Sequence, residues 1–376
     1  MSVTALEKSP IEEAVRLAAT LPGRALEVES GRTLPADLVD ELRAAGLFSL
    51  MTPASLGGRE ADPLTIVRVV EELTRGDAAT GWTVMIGQGA GYLAWLEPDV
   101  AREITEATPR PLITGSMAPL GTAVDAGEER IRLIGRWPYT SGCGLSDHLV
   151  AGYRPAAGPP RFALLPGAAV TVHDTWHVAG LRGTGSHDIE VTDLLLPSRL
   201  TFDPYGPARE DGPLYRLPYM SYLLVAMAGF PLGAARRIVD EYRQIVLGKR
   251  NTERTLLSET PIVQAEIARC EATVGAARAF VHEAVAQVWA QTQDGVASPQ
   301  ARALLTGAVQ HAMRATLDVA DSAMRACGAS QLYDRAPLQR YFRDVQTAAQ
   351  HIAFGLEAQR RVGSVLLGRD VPDFLI

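Results

Sequence analysis

The sequence predicts a mostly α protein with a small β domain at its centre. Residues 1–110 and 206–376 set apolar side chains at helical spacing between charged ones. Residues 111–205 carry short alternating apolar runs, broken at close intervals by glycine, proline and aspartate. The chain has 376 residues, which suits two or three packed subdomains better than a single core. The expected order is therefore an N-terminal helical domain, a middle β domain and a C-terminal four-helix bundle.

The elements follow from local signals. Ile11 to Leu21 has a helical apolar period, and Pro22-Gly23 is placed to stop it. Pro35 to Gly46 is a short helix with proline in its first turn and glycine at its end. Asp62 is a natural N-cap with Pro63 at the first helical position, opening a helix through Ile66, Val69, Val70 and Leu73. Ala78 to Leu96 has no charged residue and holds Gly81, Trp82, Gly87, Gly89 and Gly91, a composition that points to tight packing. Strands are expected at 129–135, 148–153, 161–166, 169–173 and 188–197, in a small barrel or sandwich. Met220–Leu247, Pro261–Thr292, Ser298–Cys327 and Pro337–Leu367 each show an apolar helical face and predict an antiparallel bundle.

Composition excludes several functions. A net charge of −7 with no basic cluster argues against nucleic acid. Cys143, Cys270 and Cys327 are odd in number and far apart, so neither a disulfide framework nor a zinc spacing is visible. Met1 to Lys8 lack the pattern of a signal peptide, and no apolar run approaches the ~18 residues of a membrane span. A reduced, cytoplasmic compartment is the expectation. The histidines are scattered without helical carboxylate company, so no metal is expected. No Gly-x-Gly-x-x-Gly opens a βαβ unit, so a nicotinamide cofactor would belong to another protein.

Two glycine-rich segments carry the chemistry. One runs from Trp176 to Pro197 and holds Gly180, Gly183 and Gly185, interleaved with Thr184, Ser186, His187 and Asp188. Glycines this dense either let the backbone approach a ligand or build a tight hairpin. The other is Gly135-Arg-Trp-Pro-Tyr-Thr-Ser-Gly142, in which Thr140 and Ser141 offer hydroxyls that both donate and accept.

This order of domains, with these segments, resembles the acyl-CoA dehydrogenase fold over nearly the whole chain. Leu42-Arg-Ala-Ala-Gly-Leu-Phe48, Pro53-Ala-Ser-Leu-Gly-Gly58 and Val70-Glu-Glu-Leu73 lie in the order and spacing of that family's first domain. Gly81-Trp82 follows where its flavoprotein monooxygenase branch often has that pair. Trp137 to Gly142 looks like the segment bordering the flavin ring, and Gly180 to Ser186 like the monooxygenase version of the next one. Gly328 to Asp334 and Pro337 to Asp344 look like the start of a flavin-contacting helix, followed by Gln350-His351. True acyl-CoA dehydrogenases carry a catalytic glutamate soon after the Arg-Asp pair. Here His351 and Ile352 hold that place, and Glu357 lies about a turn further along the helix. A histidine there is similar to two-component flavin monooxygenases, such as p-hydroxyphenylacetate hydroxylase oxygenase components and dibenzothiophene monooxygenase.

The resemblance implies reduced FMN or FAD supplied by a separate NAD(P)H:flavin reductase, and molecular oxygen as co-substrate. A flavin C4a-(hydro)peroxide would oxidise an aromatic or polycyclic small molecule. It makes His351 the acid–base residue, suited by an ordinary pKa of about 6.5. It places Thr140 or Ser141 against flavin N5. Trp137, Tyr139, Arg182, Gly185 and Ser186 join them as flavin contacts, with β-domain core as the other reading of Trp137 and Trp176. His187 is either a surface loop residue or reaches the site. Lys249, Arg250 and Arg254, with Gly328, would approach the phosphate from a neighbouring subunit, since a guanidinium binds phosphate bidentately; a solvated basic helix end, favourable with the helix dipole, is the other reading. Phenol-hydroxylating relatives usually have a second histidine where this chain has Ala90. Small residues there suggest room for a bulky substrate beside Gln88, Tyr92 and Trp95. Arg343 and Asp344 read as a structural ion pair, and the assembly as a homotetramer or homodimer. Two other functions stay open: a dehydrogenase or oxidase using Glu357, and a flavin-free binding or scaffold protein.

Overall fold

The computed structural model describes residues 8–376, so the reading of the first seven residues lies outside the described residues. Among the described residues, six helices form the first region: α1 (Pro10–Ala18), α2 (Leu21–Gly31), α3 (Ala36–Ala44), α4 (Pro63–Gly76), α5 (Ala78–Ile86) and α6 (Pro98–Ala107). Pro22 and Gly23 do not end a helix as expected. They sit in the first turn of α2, where proline lacks no hydrogen bond it would otherwise make. Asp62 caps α4 as expected, accepting the Thr65 N–H at 3.0 Å. Asp77 caps α5 through the Thr80 N–H at 2.8 Å. A Cβ on Gly81 would stand 2.0 Å from Thr74 Oγ1, so α5 lies closer to α4 than any other residue permits.

The middle region is one seven-stranded mixed sheet, where a barrel or sandwich was expected. Its strands are β1 (Ile113–Asp125), β2 (Arg130–Thr140), β3 (His148–Pro155), β4 (Arg161–Pro166), β5 (Thr171–His173), β6 (His187–Pro197) and β7 (Thr201–Phe202), in the order β5-β6-β2-β1-β3-β4-β7. The pair β1–β3 is parallel and the others are antiparallel. Strand β1 had no clear signal in the sequence. A register shift between Ser116 and Gly121 breaks its alternation in two. Trp137 fills the centre of the sheet's own core. Its indole N–H donates to Gly152 O at 2.7 Å. Gly121 and Gly135 leave room for the ring, since a Cβ on either would fall within 2.6 Å of it.

The last region holds α7 (Tyr219–Met227), α8 (Gly229–Gly248), α9 (Pro261–Thr292), α10 (Pro299–Cys327), α11 (Pro337–Ala348) and α12 (Leu356–Leu366). Helices α8, α9, α10 and α11 pack as a bundle, and α12 lies along α10. Two expected helices are each two. The 220–247 helix turns at Ala228, between α7 and α8. The 337–367 helix breaks at His351, whose backbone is extended and whose side chain caps the turn that follows. The stretch Tyr219–Gly248 is also long and apolar enough to cross a membrane, against the sequence expectation. However, 83 % of its apolar window is buried inside the chain, so it serves as a core element here.

Replacing Trp137 by alanine empties the centre of the sheet. The expected loss is about 3–5 kcal/mol, measurable as a lower urea midpoint for the sheet's unfolding.

Candidate active site

Two strand ends build the floor of the site. Thr140 at the end of β2 pairs with His187 at the start of β6, and the Gly142 N–H donates to Thr184 O at 2.8 Å. Gly142 and Gly185 turn the chain with φ of 69° and 51°, which suits glycine. The junction brings together a chain of buried hydroxyls. Ser141 Oγ and Ser186 Oγ are 2.7 Å apart, and Ser186 Oγ and Thr184 Oγ1 are 2.6 Å apart. Thr184 Oγ1 donates to Leu181 O at 2.8 Å. At the other end, the Trp82 indole N–H of α5 donates to Ser141 Oγ at 3.0 Å.

Trp82 also carries the wall. Its ring meets His351 edge-on at 5.7 Å and Phe230 of α8 at 5.1 Å. Phe354 adds a second edge contact to His351 at 6.2 Å. His351 Nδ1 accepts the Ala353 N–H at 3.2 Å, which leaves the ring proton on Nε2. Burial pushes its pKa down to about 4, so the ring is neutral near pH 7. Among the described residues, Nε2 has no protein partner. His351, Ser141 and Ser186, far apart in the sequence, are thus linked through one indole.

Helix α11 clamps this junction from behind. Asp344 accepts the Leu181 N–H at 2.6 Å and is buried. That burial pushes its carboxyl up to about 7, against the pull of the hydrogen bond. Arg343 does not pair with it, contrary to expectation. Its guanidinium reaches Glu29 at 2.6 Å and also binds Ala179 O. Gly180 and Gly183 prove to be packing glycines. A Cβ on Gly180 would stand 2.1 Å from Arg343 O, and one on Gly183 would stand 2.2 Å from Val28 Cγ1.

The other expected site residues divide. Tyr139 is exposed at a φ of 60°, beside Trp176 at 6.5 Å, and Arg182 is exposed without a side-chain partner among the described residues. These two stand at the rim. Thr140 is buried and its hydroxyl donates to Trp137 O at 3.2 Å. Trp137 is fully buried, so it has no face left for a ligand. His187 holds a loop by accepting the N–H groups of Thr175 and Trp176.

The substrate side is corrected outright. Gln88 is buried with its amide engaged by the backbone of Leu47, Leu50, Met51 and Val84. Tyr92 and Trp95 belong to an aromatic cluster with Phe162, Phe202 and Tyr222. The small residues beside Ala90 open no room, because a Cβ on Gly91 would meet the Tyr222 hydroxyl at 1.9 Å. Sequence reasoning missed Phe230 and Phe354, read Asp344 only as the partner of Arg343, and marked Trp82 only as part of the Gly81-Trp82 pair. Trp82, set in an uncharged run beside the Gly81 packing glycine, was the one signal available.

The basic group lies elsewhere. Lys249 Nζ binds Cys327 O and Ser330 Oγ, beside Gly328, and Arg250 donates to Arg254 O. These residues follow the end of α8, whereas Phe230 is at its start. Twenty helical residues separate the two ends by ~30 Å.

Comparison with known proteins places this geometry. Models of the acyl-CoA dehydrogenase N-terminal and C-terminal domains match residues 10–96 and 225–355. The chain belongs to the acyl-CoA dehydrogenase family. Within it, this member falls among the flavin-dependent monooxygenases. It is 30 % identical to the indole-3-acetate monooxygenase of Pseudomonas putida, over 99 % of this chain and 97 % of the relative. It is 28 % identical to the oxygenase component of an FADH(2)-dependent resorcinol hydroxylase of a Rhizobium species, over 92 % and 90 % of the two chains. XiaF of a Streptomyces species, solved with FADH2 and glycerol, superposes with a TM-score of 0.87 at 26 % identity, over 96 % of both chains. This family member is accordingly a flavin-dependent oxidoreductase, a monooxygenase. Glu357, the base a dehydrogenase reading requires, is on the surface. Arg360 and Arg361 hold its carboxyl down to about 2.

The low pKa of His351 has a stability consequence. Below pH 6.5 the unfolded chain binds a proton that the native ring refuses until about pH 4. Acidification through that window therefore weakens the fold. His351→Gln removes this contribution, and a flatter thermal midpoint between pH 6.5 and 4 than in the wild type is expected.

Proposed function

We propose that this monooxygenase is the oxygenase component of a two-component system acting on a small aromatic molecule of the indole or phenol class. Reduced FAD or FMN would come from a separate NAD(P)H:flavin reductase. The observation that carries the reading is the meeting of His351, Trp82 and the Ser141–Ser186 hydroxyls at one junction. The junction also fits a flavin ring. It offers an unpartnered Nε2–H, hydroxyl oxygens, an aromatic edge, and an exposed tyrosine and arginine at its rim. Bound reduced flavin supplies the electrons that activate oxygen. The names of the relatives support the substrate class, since they act on indole-3-acetate and resorcinol.

The residues then have distinct tasks. His351 is a neutral hydrogen-bond donor through Nε2. The Ala353 N–H occupies Nδ1 and so blocks protonation there. Trp82 and Phe354 pack edge-on against that ring and hold its orientation. Tyr139 and Arg182 border the ring at the open side. Arg250, Arg254 and Gly328 stand too far from His351 to touch the same mononucleotide within one chain, so any phosphate contact they make comes from a partner subunit. A homo-oligomer, dimer or tetramer, is supported by apolar side chains left exposed on the last region, including Ile262, Leu332, Ile352, Leu356 and Leu367. Three free, buried cysteines suit a reducing, cytoplasmic compartment.

The test is anaerobic titration with reduced FMN and reduced FAD. Oxygen and indole-3-acetate or resorcinol are then added with a flavin reductase, and products are read by mass spectrometry. A product heavier by one oxygen atom is expected. Absence of binding by either reduced flavin overturns the reading. His351→Ala should lower product formation by about 10²-fold while leaving reduced-flavin binding in place, the scale seen when one positioned donor is removed.

A further inference from the structure

We propose that the sheet carries a second ligand site, for a small carboxylic acid with an apolar body, at the end remote from Thr140 and Ser141. The site is a cavity of about 420 Å³ between the end of the β1–β2 hairpin, the β3–β4 hairpin and the connection from β6 to β7. Small-molecule sites span roughly 300–1,000 Å³ and are apolar with a few placed polar groups. The inference does not depend on the flavin reading.

Strand register sets the lining. Tyr153 of β3 and Arg161 of β4 are direct cross-strand partners, so their side chains stand on one face of the sheet. Ala123 of β1 pairs with Pro155 of β3, and Asp125 with Ile131 of β2. Ala123, Ile131 and Pro155 give the cavity its apolar wall. Tyr153 belongs to the same buried cluster as Trp137 and Leu133, and it is 2 % exposed. Yet it lines the cavity, and its hydroxyl has no hydrogen-bond partner among the described residues. A phenol buried this deeply is costly to leave unpaired, which a group bound in the cavity would correct.

The neighbouring cation is free as well. Arg161 is half-buried and has neither an ion pair nor a hydrogen bond among the described residues. On β2 the comparable arginines are paired, Arg132 with Asp193 and Arg136 with Asp188. Asp125 also lines the cavity, but its carboxylate accepts the Gly127 N–H at 2.9 Å and makes no ion pair with Arg161. An open guanidinium fork and a phenolic O–H both donate, and a carboxylate accepts from both. The body of the acid then covers Ala123, Ile131 and Pro155. An inorganic anion would leave that wall bare, and an uncharged molecule would leave Arg161 unpaired. Strand β2 runs from Arg130 at this end to Thr140 at the candidate active site, eleven residues that span ~30 Å. A ligand bound here is therefore out of reach of the reacting atoms.

The test titrates the intact protein, labelled with ¹³C at isoleucine methyls, with benzoate, with its uncharged isostere benzamide, and with inorganic phosphate. Ile131 reports the cavity and Ile352, next to His351, reports the candidate active site; Ile131→Val and Ile352→Val assign the two signals. Benzoate should move the Ile131 signal saturably, with benzamide and phosphate at least tenfold weaker. Arg161→Gln should weaken benzoate at Ile131 tenfold or more, and Tyr153→Phe roughly three- to tenfold, the scales of a charged and a neutral hydrogen bond. Arg161→Lys should keep the preference for benzoate over benzamide. Thermal melts confirm that each variant is folded. The proposal is overturned if benzoate leaves Ile131 unmoved, or if it moves Ile352 alone. An equal response to benzoate and benzamide, or to benzoate and phosphate, overturns it too. So does an affinity unchanged in both Arg161→Gln and Tyr153→Phe.

Discussion

The hydrogen bond from the Trp82 indole to Ser141 joins helix α5 of the first region to the end of strand β2, and the site is assembled around that joint. Everything upstream positions the indole. Gly81 lets α5 lie against α4 at backbone distance, and Asp77 fixes where α5 begins. Everything downstream depends on the indole staying there. Its ring edge sets the place of His351, and its N–H holds the Ser141 hydroxyl. A single side chain thus relates three regions that share no local sequence signal.

Helix α11 fixes the joint from the opposite side. The Tyr341 hydroxyl donates to Thr74 O and Arg75 O at the end of α4, and Arg343 pairs with Glu29 of α2. Asp344 accepts from Leu181 at the glycine-rich segment. These are buried or half-buried polar contacts, costly to leave unpaired. They make the relative placement of the regions sharply defined. The close approach of Gly180 to the Arg343 carbonyl belongs to the same clamp. A glycine pattern that suits a ligand suits this backbone contact equally well, since both need the space of a missing Cβ.

Much of the fold was legible because its signals are local. Asp62-Pro63 marked the start of α4, and the long apolar faces marked α9 and α10 within a residue or two. The failures have local causes too. Strand β1 was hidden by its register shift. The helix expected through 337–367 breaks where the His351 side chain competes with the backbone for the Ala353 N–H. Its apolar spacing alone does not reveal that competition.

The sequence by itself determined the family, the order of the regions and the residue types brought to the site: a histidine without a following glutamate, paired hydroxyls and dense glycines. Composition and motif order suffice for those, because they need no knowledge of neighbours. Only the tertiary structure decided which of those side chains remain free. It buried Trp137, Gln88, Tyr92 and Trp95 in cores, removed Glu357 to a surface ion pair, and left the His351 Nε2–H without a protein partner among the described residues. The physical reason is the same in each case. A polar or aromatic group is available for chemistry only when nothing else in the fold satisfies it, and that is a property of contacts distant in the sequence.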